Sequence, residues 1–244
     1  MIILSLDTTA KTATVGVFEA DENGVFAKSL ATVNNTLTHS ESLLPMIEFC
    51  LCQASVKMQD VDVIAVSVGP GSFTGVRIGI STVKGLCFGD DIPVCAVSGL
   101  EALCENVSDI ETEGTIICPC MDARRNQFYN ALFEITKTGA KRLCDDRAIG
   151  SDELFAEFSE KYNNRKIVLV GDGAILCKKL FDKTQSEICV KLARNDRLLQ
   201  NAYSVAVVGN RMFIKGECTN ASEILPVYLR MSQAEREKLE RESK

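Results

Sequence analysis

The chain opens on short apolar runs broken by turn residues. IILSLDT at 2–8, TATVGVFEA at 12–20 and FAKSLATVN at 26–34 read as three strands, and DENG at 21–24 supplies turn chemistry between the last two. The period then changes. THSESLLPMIEFCLCQASV predicts a helix from 39 to about 55, opened by Thr38 or Ser40, with Glu41 three residues after Thr38 as in a capping box. Pro45 must lie in its first turn or kink it. VDVIAVSVG at 61–69 is an apolar run suited to a strand buried on both faces. A glycine-rich loop, a helix to about 87, a strand at IPVCAVS and a helix starting at Ser98 follow.

The second half repeats the order. TIICPCMDA and QFYNALFEI predict a hairpin around RRN, with a third strand near KRLCDDRAI. SDELFAEFSEKY reads as a capped helix, KIVLVGDG as a buried strand, AILCKKLF as a helix and EICVKL as a strand; a long helix is expected over about 196–215. Each half is therefore βββαβαβα, at low sequence identity. By fold-level analogy, this duplication predicts an α/β protein of two domains with the actin-like (ASKHA, ribonuclease H-like) fold. The expected divisions are 1–108, 109–220 and a C-terminal segment 221–244. In that segment LPVYLR is amphipathic and should dock on the body, and the last dozen residues read as a solvated helix or frayed tail.

Composition narrows the function classes. An apolar fraction of 46% is enough for a sizeable core. No stretch approaches the roughly 20 apolar residues of a membrane span. The N-terminal apolar run has no basic lead and reads as a strand rather than a signal peptide, so a cytoplasmic protein with no membrane partner is expected. The 11 cysteines lie mostly in apolar runs without CxxC spacing, which predicts buried, reduced side chains. Residues 1–110 hold 5 basic and 13 acidic side chains, a balance of −8; the remainder hold 22 and 20, a balance of +2. A protein that grips nucleic acid unaided usually shows a basic patch. If RNA is involved, another protein should supply much of the positive surface.

VGPGSFTGVRIGISTVKGL at 68–86 resembles a phosphate loop, but the match fails in detail. From Gly69 the P-loop lysine is absent, and Thr74 stands where a dinucleotide fingerprint has its third glycine. Two readings stay open. Gly69 and Gly71, with Ser72 or Thr74 capping the next helix, could leave free amides facing an anion. Alternatively the glycines serve a tight strand-to-helix turn. Asp7 ends the first strand where actin-like kinases place an acidic residue that helps position magnesium. Thr8 and Thr9 follow it instead of a glycine, which weakens the nucleotide reading. These residues are vestigial nucleotide-loop candidates, and no cofactor is expected.

Both early helices carry apolar residues around more than one face, where a helix lying outside a sheet should show one stripe. A partner surface is therefore expected at Leu43, Leu44, Ile47 and Leu51 on the first helix. On the second it involves Gly75, Val76, Gly79, Ile80 and Val83, because several glycines in one helix suggest close approach of another backbone. The alternative is burial by the chain's own C-terminal helix. His39, the single histidine, reads as a surface or capping residue. Asp122, Arg124 and Arg125 form a polar knot: either a hairpin turn or a contact with a partner or RNA phosphate. No metal-ligand cluster is visible.

Taken together, LDTT, HSESLLP, VGPGSFTGVRIGISTVKGL, MDARRNQFY and LPVYLRMSQAE resemble the TsaB (YeaZ) family of tRNA threonylcarbamoyladenosine biosynthesis, over residues 2 to about 235. The resemblance implies a non-catalytic subunit. It would pair through its early helices with TsaD, a homologous catalytic subunit, assemble with the ATPase TsaE, form a homodimer when alone, and meet tRNA only through the complex. TsaD relatives carry two metal-binding histidines four residues apart; here Leu43 stands four residues after His39. The rival readings are an actin-like ATP-binding phosphotransferase and, less favoured, a peptidase.

Overall fold

The computed structural model describes residues 1–34 and 38–230. Its first half holds β1 (Ile2–Asp7), β2 (Ala13–Asp21), β3 (Gly24–Val33), α1 (His39–Ala54), β4 (Val63–Ser67), α2 (Phe73–Leu86), β5 (Val94–Val97) and α3 (Gly99–Ser108). The strands order β3-β2-β1-β4-β5, antiparallel on the hairpin side and parallel from β1 onward. In the second half come β6 (Ile116–Asp122), β7 (Gln127–Asn130), β8 (Phe133–Thr136), β9 (Gly139–Arg142) and β10 (Arg147–Gly150). They are followed by α4 (Ser151–Lys161), β11 (Ile167–Val170), α5 (Ala174–Asp182), β12 (Val190–Leu192) and α6 (Ala202–Ile214). The order β10-β7-β6-β11-β12 repeats that of the first sheet. Two copies of one α/β unit make this the actin-like duplicated fold.

The period-2 alternation of the first sheet separates two cores. Leu4, Leu6, Val15, Ile64 and Val66 meet α1 and α2 on one face. Ile3, Phe18, Val63 and Ala65 meet α6 on the other. Gly209 lets α6 approach closely, since a Cβ there would lie 2.4 Å from that of Ala65. In exchange α3 packs on the second sheet, through Leu100, Leu103 and Val107. The last helix of each half thus covers the other half's sheet, or lies against the helix that does.

Four expected elements come out differently. QFYNALFEI breaks into β7 and β8, and KRLCDDRAI into β9 and β10. The cause is Pro119 inside β6, which has no N–H to donate. On that side β6 pairs with β8 through Ile117 and with β7 from Cys120 onward. Buried Asn130 donates its amide to Pro119 O (3.0 Å) and Ala131 O (2.9 Å) at the break. The helix at Ser151 starts from Gly150 and has no side-chain cap. The long helix expected over 196–215 is a 3-10 turn at Asn195–Arg197 and then α6, whose start is fixed by Asn201 accepting from Tyr203 N (2.9 Å). The capping box at Thr38 forms as expected: the Glu41 carboxylate accepts from Thr38 N and Thr38 Oγ1, both at 2.9 Å. Pro45 lies in the second turn of α1, not the first.

The cysteine expectation needs correction. Cys95 and Cys218 are joined as a disulfide, Cα atoms 4.7 Å apart, where Val94 and Thr219 form an isolated bridge. Cys52 and Cys189 are exposed; Cys50, Cys87, Cys104, Cys118, Cys120 and Cys177 are buried and free.

The C-terminal segment docks as a strap. Thr219 pairs with Val94, Lys84 Nζ donates to Ser222 O, and Val227 N donates to Val68 O. Tyr228 stacks on Phe73 with centroids 4.2 Å apart and accepts from Arg77 Nε. Arg230 then donates to Ala123 O in the second half. Residues 231–244, including the expected charged tail, lie outside the described residues.

Candidate functional site

Asp7, at the end of β1, is buried. Its Oδ1 accepts from Thr9 N (2.8 Å) and Thr9 Oγ1 (2.7 Å), and its Oδ2 from Ser67 Oγ (2.6 Å). Burial pushes its carboxyl above the usual range, while these hydrogen bonds and nearby His39 pull it back. Thr8 and Thr9 then turn the chain directly against the glycine loop. Ser72 N donates to Thr9 O (2.6 Å), and Thr8 Oγ1 donates to Gly75 O (2.7 Å). A Cβ at Gly71 would stand 2.2 Å from Thr9 O; one at Gly75 would stand 2.0 Å from Thr8 O. Gly69 adopts φ +121° and faces the strap, with Val227 O 2.6 Å from its would-be Cβ.

Two of the loop's amides have partners within the chain. Ser72 caps α2 by accepting from Gly75 N (3.2 Å), so that amide and Ser72 N are both taken by the chain itself. Thr74 is exposed and caps nothing. The glycines bring α2 against the Thr8–Thr9 turn, and the missing glycine after Asp7 is the other half of that contact.

The same contact corrects the expected partner surface. Of the nine residues, seven belong to the chain's own interior: Leu43 and Ile47 on α1, and Gly75, Val76, Gly79, Ile80 and Val83 on α2. Gly79 faces Thr8 Oγ1, 2.6 Å from its would-be Cβ, rather than a second protein. The physical reason is the sheet. Both helices lie side by side on one face of β1, β2 and β4, so each is covered from below and along its flank. Leu44 stays 49% exposed and Leu51 is half-buried. Phe49, one of the apolar residues read around this helix but left out of the expected partner surface, is 53% exposed. At 100° per residue, Pro45 and Cys52 fall opposite the buried residues of α1, Leu44 and Phe49 fall on the two flanks of that outer side, and exposed Glu41 and Glu48 lie between them. The neighbouring outer side of α2, at Thr74, Ser81 and Gly85, is small and polar.

His39 Nε2 lies 2.7 Å from Ala10 O, so the ring ties α1 to the β1–β2 turn. Ser67 is bonded straight to Asp7, and among the described residues His39 has no hydroxyl or thiol partner. Among those residues no group of His, Cys, Asp or Glu could hold a metal ion. Asp122, Arg124 and Arg125 form a hairpin turn, with Arg124 N donating to Asp122 Oδ1 (2.7 Å).

Between the halves lies a further polar pair that the sequence did not single out. Burial, aided by the Asp122 and Asp7 carboxylates, pushes Asp172 up to about 6. The nearby Gln200 amide pulls the other way but falls short of a hydrogen bond. Asp172 Oδ1 and both polar atoms of the Gln200 side chain lack a partner among the described residues.

The duplicated actin-like fold, with its glycine loop packed against the Thr8–Thr9 turn, defines the class. The family model described as TsaD, tRNA N6-adenosine threonylcarbamoyltransferase, matches residues 34–238. The tRNA threonylcarbamoyladenosine biosynthesis protein TsaB of Bacillus subtilis is 29% identical, over 96% of both chains. That of Buchnera aphidicola is 33% identical, over 84% of this chain and 90% of its own. YeaZ from Pseudomonas aeruginosa superposes with a TM-score of 0.76 at 25% identity, over 93% of this chain and 99% of its own. The chain belongs to this TsaD-type family and, within it, to the TsaB (YeaZ) members. No helix among the described residues is long and apolar enough to cross a membrane.

Proposed function

We propose that the chain is a non-catalytic subunit of the assembly that forms threonylcarbamoyladenosine on tRNA. It pairs with a TsaD-type catalytic subunit through the outer face of α1, with the adjoining side of α2, and TsaE joins that pair. Alone, the same face joins two copies of the chain. The assembly works in the cytoplasm, where tRNA reaches this chain as part of the complex.

One observation carries the reading: Leu44 and Phe49 stand half exposed on a helix whose other side is fully packed. Leu44 and Phe49 flank exposed Glu41 and Glu48 on the outer side, a mix of apolar and polar groups such as non-obligate interfaces use. The internal occupation of the phosphate turn supports the non-catalytic part. A phosphotransferase needs its amides open to phosphate, and here Thr9 O and Ser72 Oγ take two of them. The test is size-exclusion chromatography of the full chain mixed with TsaD from the same source. A one-to-one complex is expected. Separate elution, combined with Mg-ATP turnover by the chain alone, would overturn the reading in favour of the phosphotransferase.

A further inference from the structure

The β6–β7 turn is held in an unfavourable backbone conformation. Arg124, Arg125 and Asn126 take φ of 68°, 55° and 55° in succession. Left-handed geometry is disfavoured for any residue with a Cβ, and a run of three persists only where the surroundings fix it. They do so here. Asp122 Oδ1 accepts from Arg124 N, Gln127 N donates to Arg124 O, and Ser151 N donates to Asn126 O. Arg230, arriving on the strap, donates to Ala123 O. The result is that Arg124 and Arg125 project from the surface, and among the described residues neither has an ion-pair partner.

The strap that reaches the turn through Arg230 also carries an aromatic ring. Tyr228, two residues before Arg230, is 38% exposed and stacked on Phe73. The Arg77 guanidinium lies 4.0 Å from the Phe73 ring centroid. Only 5 basic residues occur in the first 110, and Arg77 is one of them. The strap therefore joins a cation from the first half to those of the second, on a chain of net charge −6. The one carboxylate built into the turn, Asp122, has an oxygen committed to Arg124 N.

We propose that the Arg124–Arg125 turn, with Arg230 and the Arg77–Phe73–Tyr228 stack beside it, is a surface for RNA, meeting phosphates through the arginines and a base or ribose through the rings. Clustered guanidinium groups suit phosphate, and interleaved aromatics suit unstacked bases; an acidic protein segment would need only the first. The inference rests on the proposed function for the choice of tRNA, and places one direct contact on this chain within the assembly.

The test uses the full chain with TsaD and a fluorescent unmodified tRNA transcript, titrated at several salt concentrations. The variant is Arg124→Glu/Arg125→Glu, because Arg77 and Tyr228 also pin the strap. The expected result is at least a tenfold loss of affinity and a log–log salt slope shallower by about 2. Pairing with TsaD should persist, and Arg124→Lys/Arg125→Lys should keep most of the affinity. Unchanged affinity and slope, with pairing intact, would overturn the proposal. So would loss of pairing while the separated variant chain binds tRNA as the parent does, since the turn would then be a protein contact. If the parent chain does not pair with TsaD, the subunit reading fails, and the same titration on the chain alone still decides the surface.

Discussion

Asp172 is the residue whose surroundings make the clearest quantitative demand. Its carboxyl is buried, faces Asp122 and Asp7, and has a folded pKa of about 6 against an ordinary 3.8. A carboxyl raised in this way contributes stability that is fully present below its unfolded pKa. That contribution is lost as pH rises through the folded value. It amounts to on the order of 2–3 kcal/mol. Asp172→Asn removes the charge and gives Gln200 Oε1 a possible donor. The variant should gain stability over the parent between pH 4.5 and pH 7.5 by about that amount, read from urea unfolding at the two pH values. A difference that stays constant with pH would contradict the assignment. Nothing in the sequence marked this pair, because GDG at 171–173 and LLQN at 198–201 are brought together only by the fold of the second half, where Gly171 N donates to Leu198 O.

At the scale of elements, most of the plan was written in local pattern. The βββαβαβα repeat, the Thr38–Glu41 cap and the Ser98 cap were legible because each depends on neighbours within a few residues, and LPVYLR showed by its own amphipathic pattern that it docks, though not that it docks on Val68, Phe73 and Arg77. The split of β7 from β8 depends on Pro119 in a different strand, and so could not be read from QFYNALFEI itself. The glycines of α2 misled for a related reason. They do signal close backbone approach, but the sequence cannot say whose backbone, and the answer is the Thr8–Thr9 turn. Two substitutions in one helix separate the effects. Gly75→Ala places a Cβ 2.0 Å from Thr8 O, and overpacking against backbone costs typically 1–3 kcal/mol, more than the roughly 1 kcal/mol of helix propensity gained. Gly85→Ala meets nothing within 4 Å and should gain up to about 1 kcal/mol. Urea midpoints should therefore move in opposite directions; a common direction would contradict the packing account.

For the whole molecule, the duplicated fold supplies two sheets, exchanges α3 and α6 between them and straps the C-terminal segment across both. Among the described residues, Leu44 and Phe49 on the outer side of α1 are left half exposed. The sequence showed that α1 was too apolar for one stripe, yet could not divide Leu43 and Ile47, which face the sheet, from Leu44 and Phe49, which do not. The central claim is that this outer face, and not the closed glycine loop, is where the catalytic relative docks. The most direct measurement is the dissociation constant for TsaD of the full chain and of Leu44→Asp/Phe49→Asp, with folding of the variant checked by its unfolding midpoint. Both side chains are exposed, so the midpoint should hold. The affinity should fall at least about thirtyfold, as expected when two interface anchors of about 1–2 kcal/mol or more are lost. An unchanged dissociation constant in a folded variant would contradict the account.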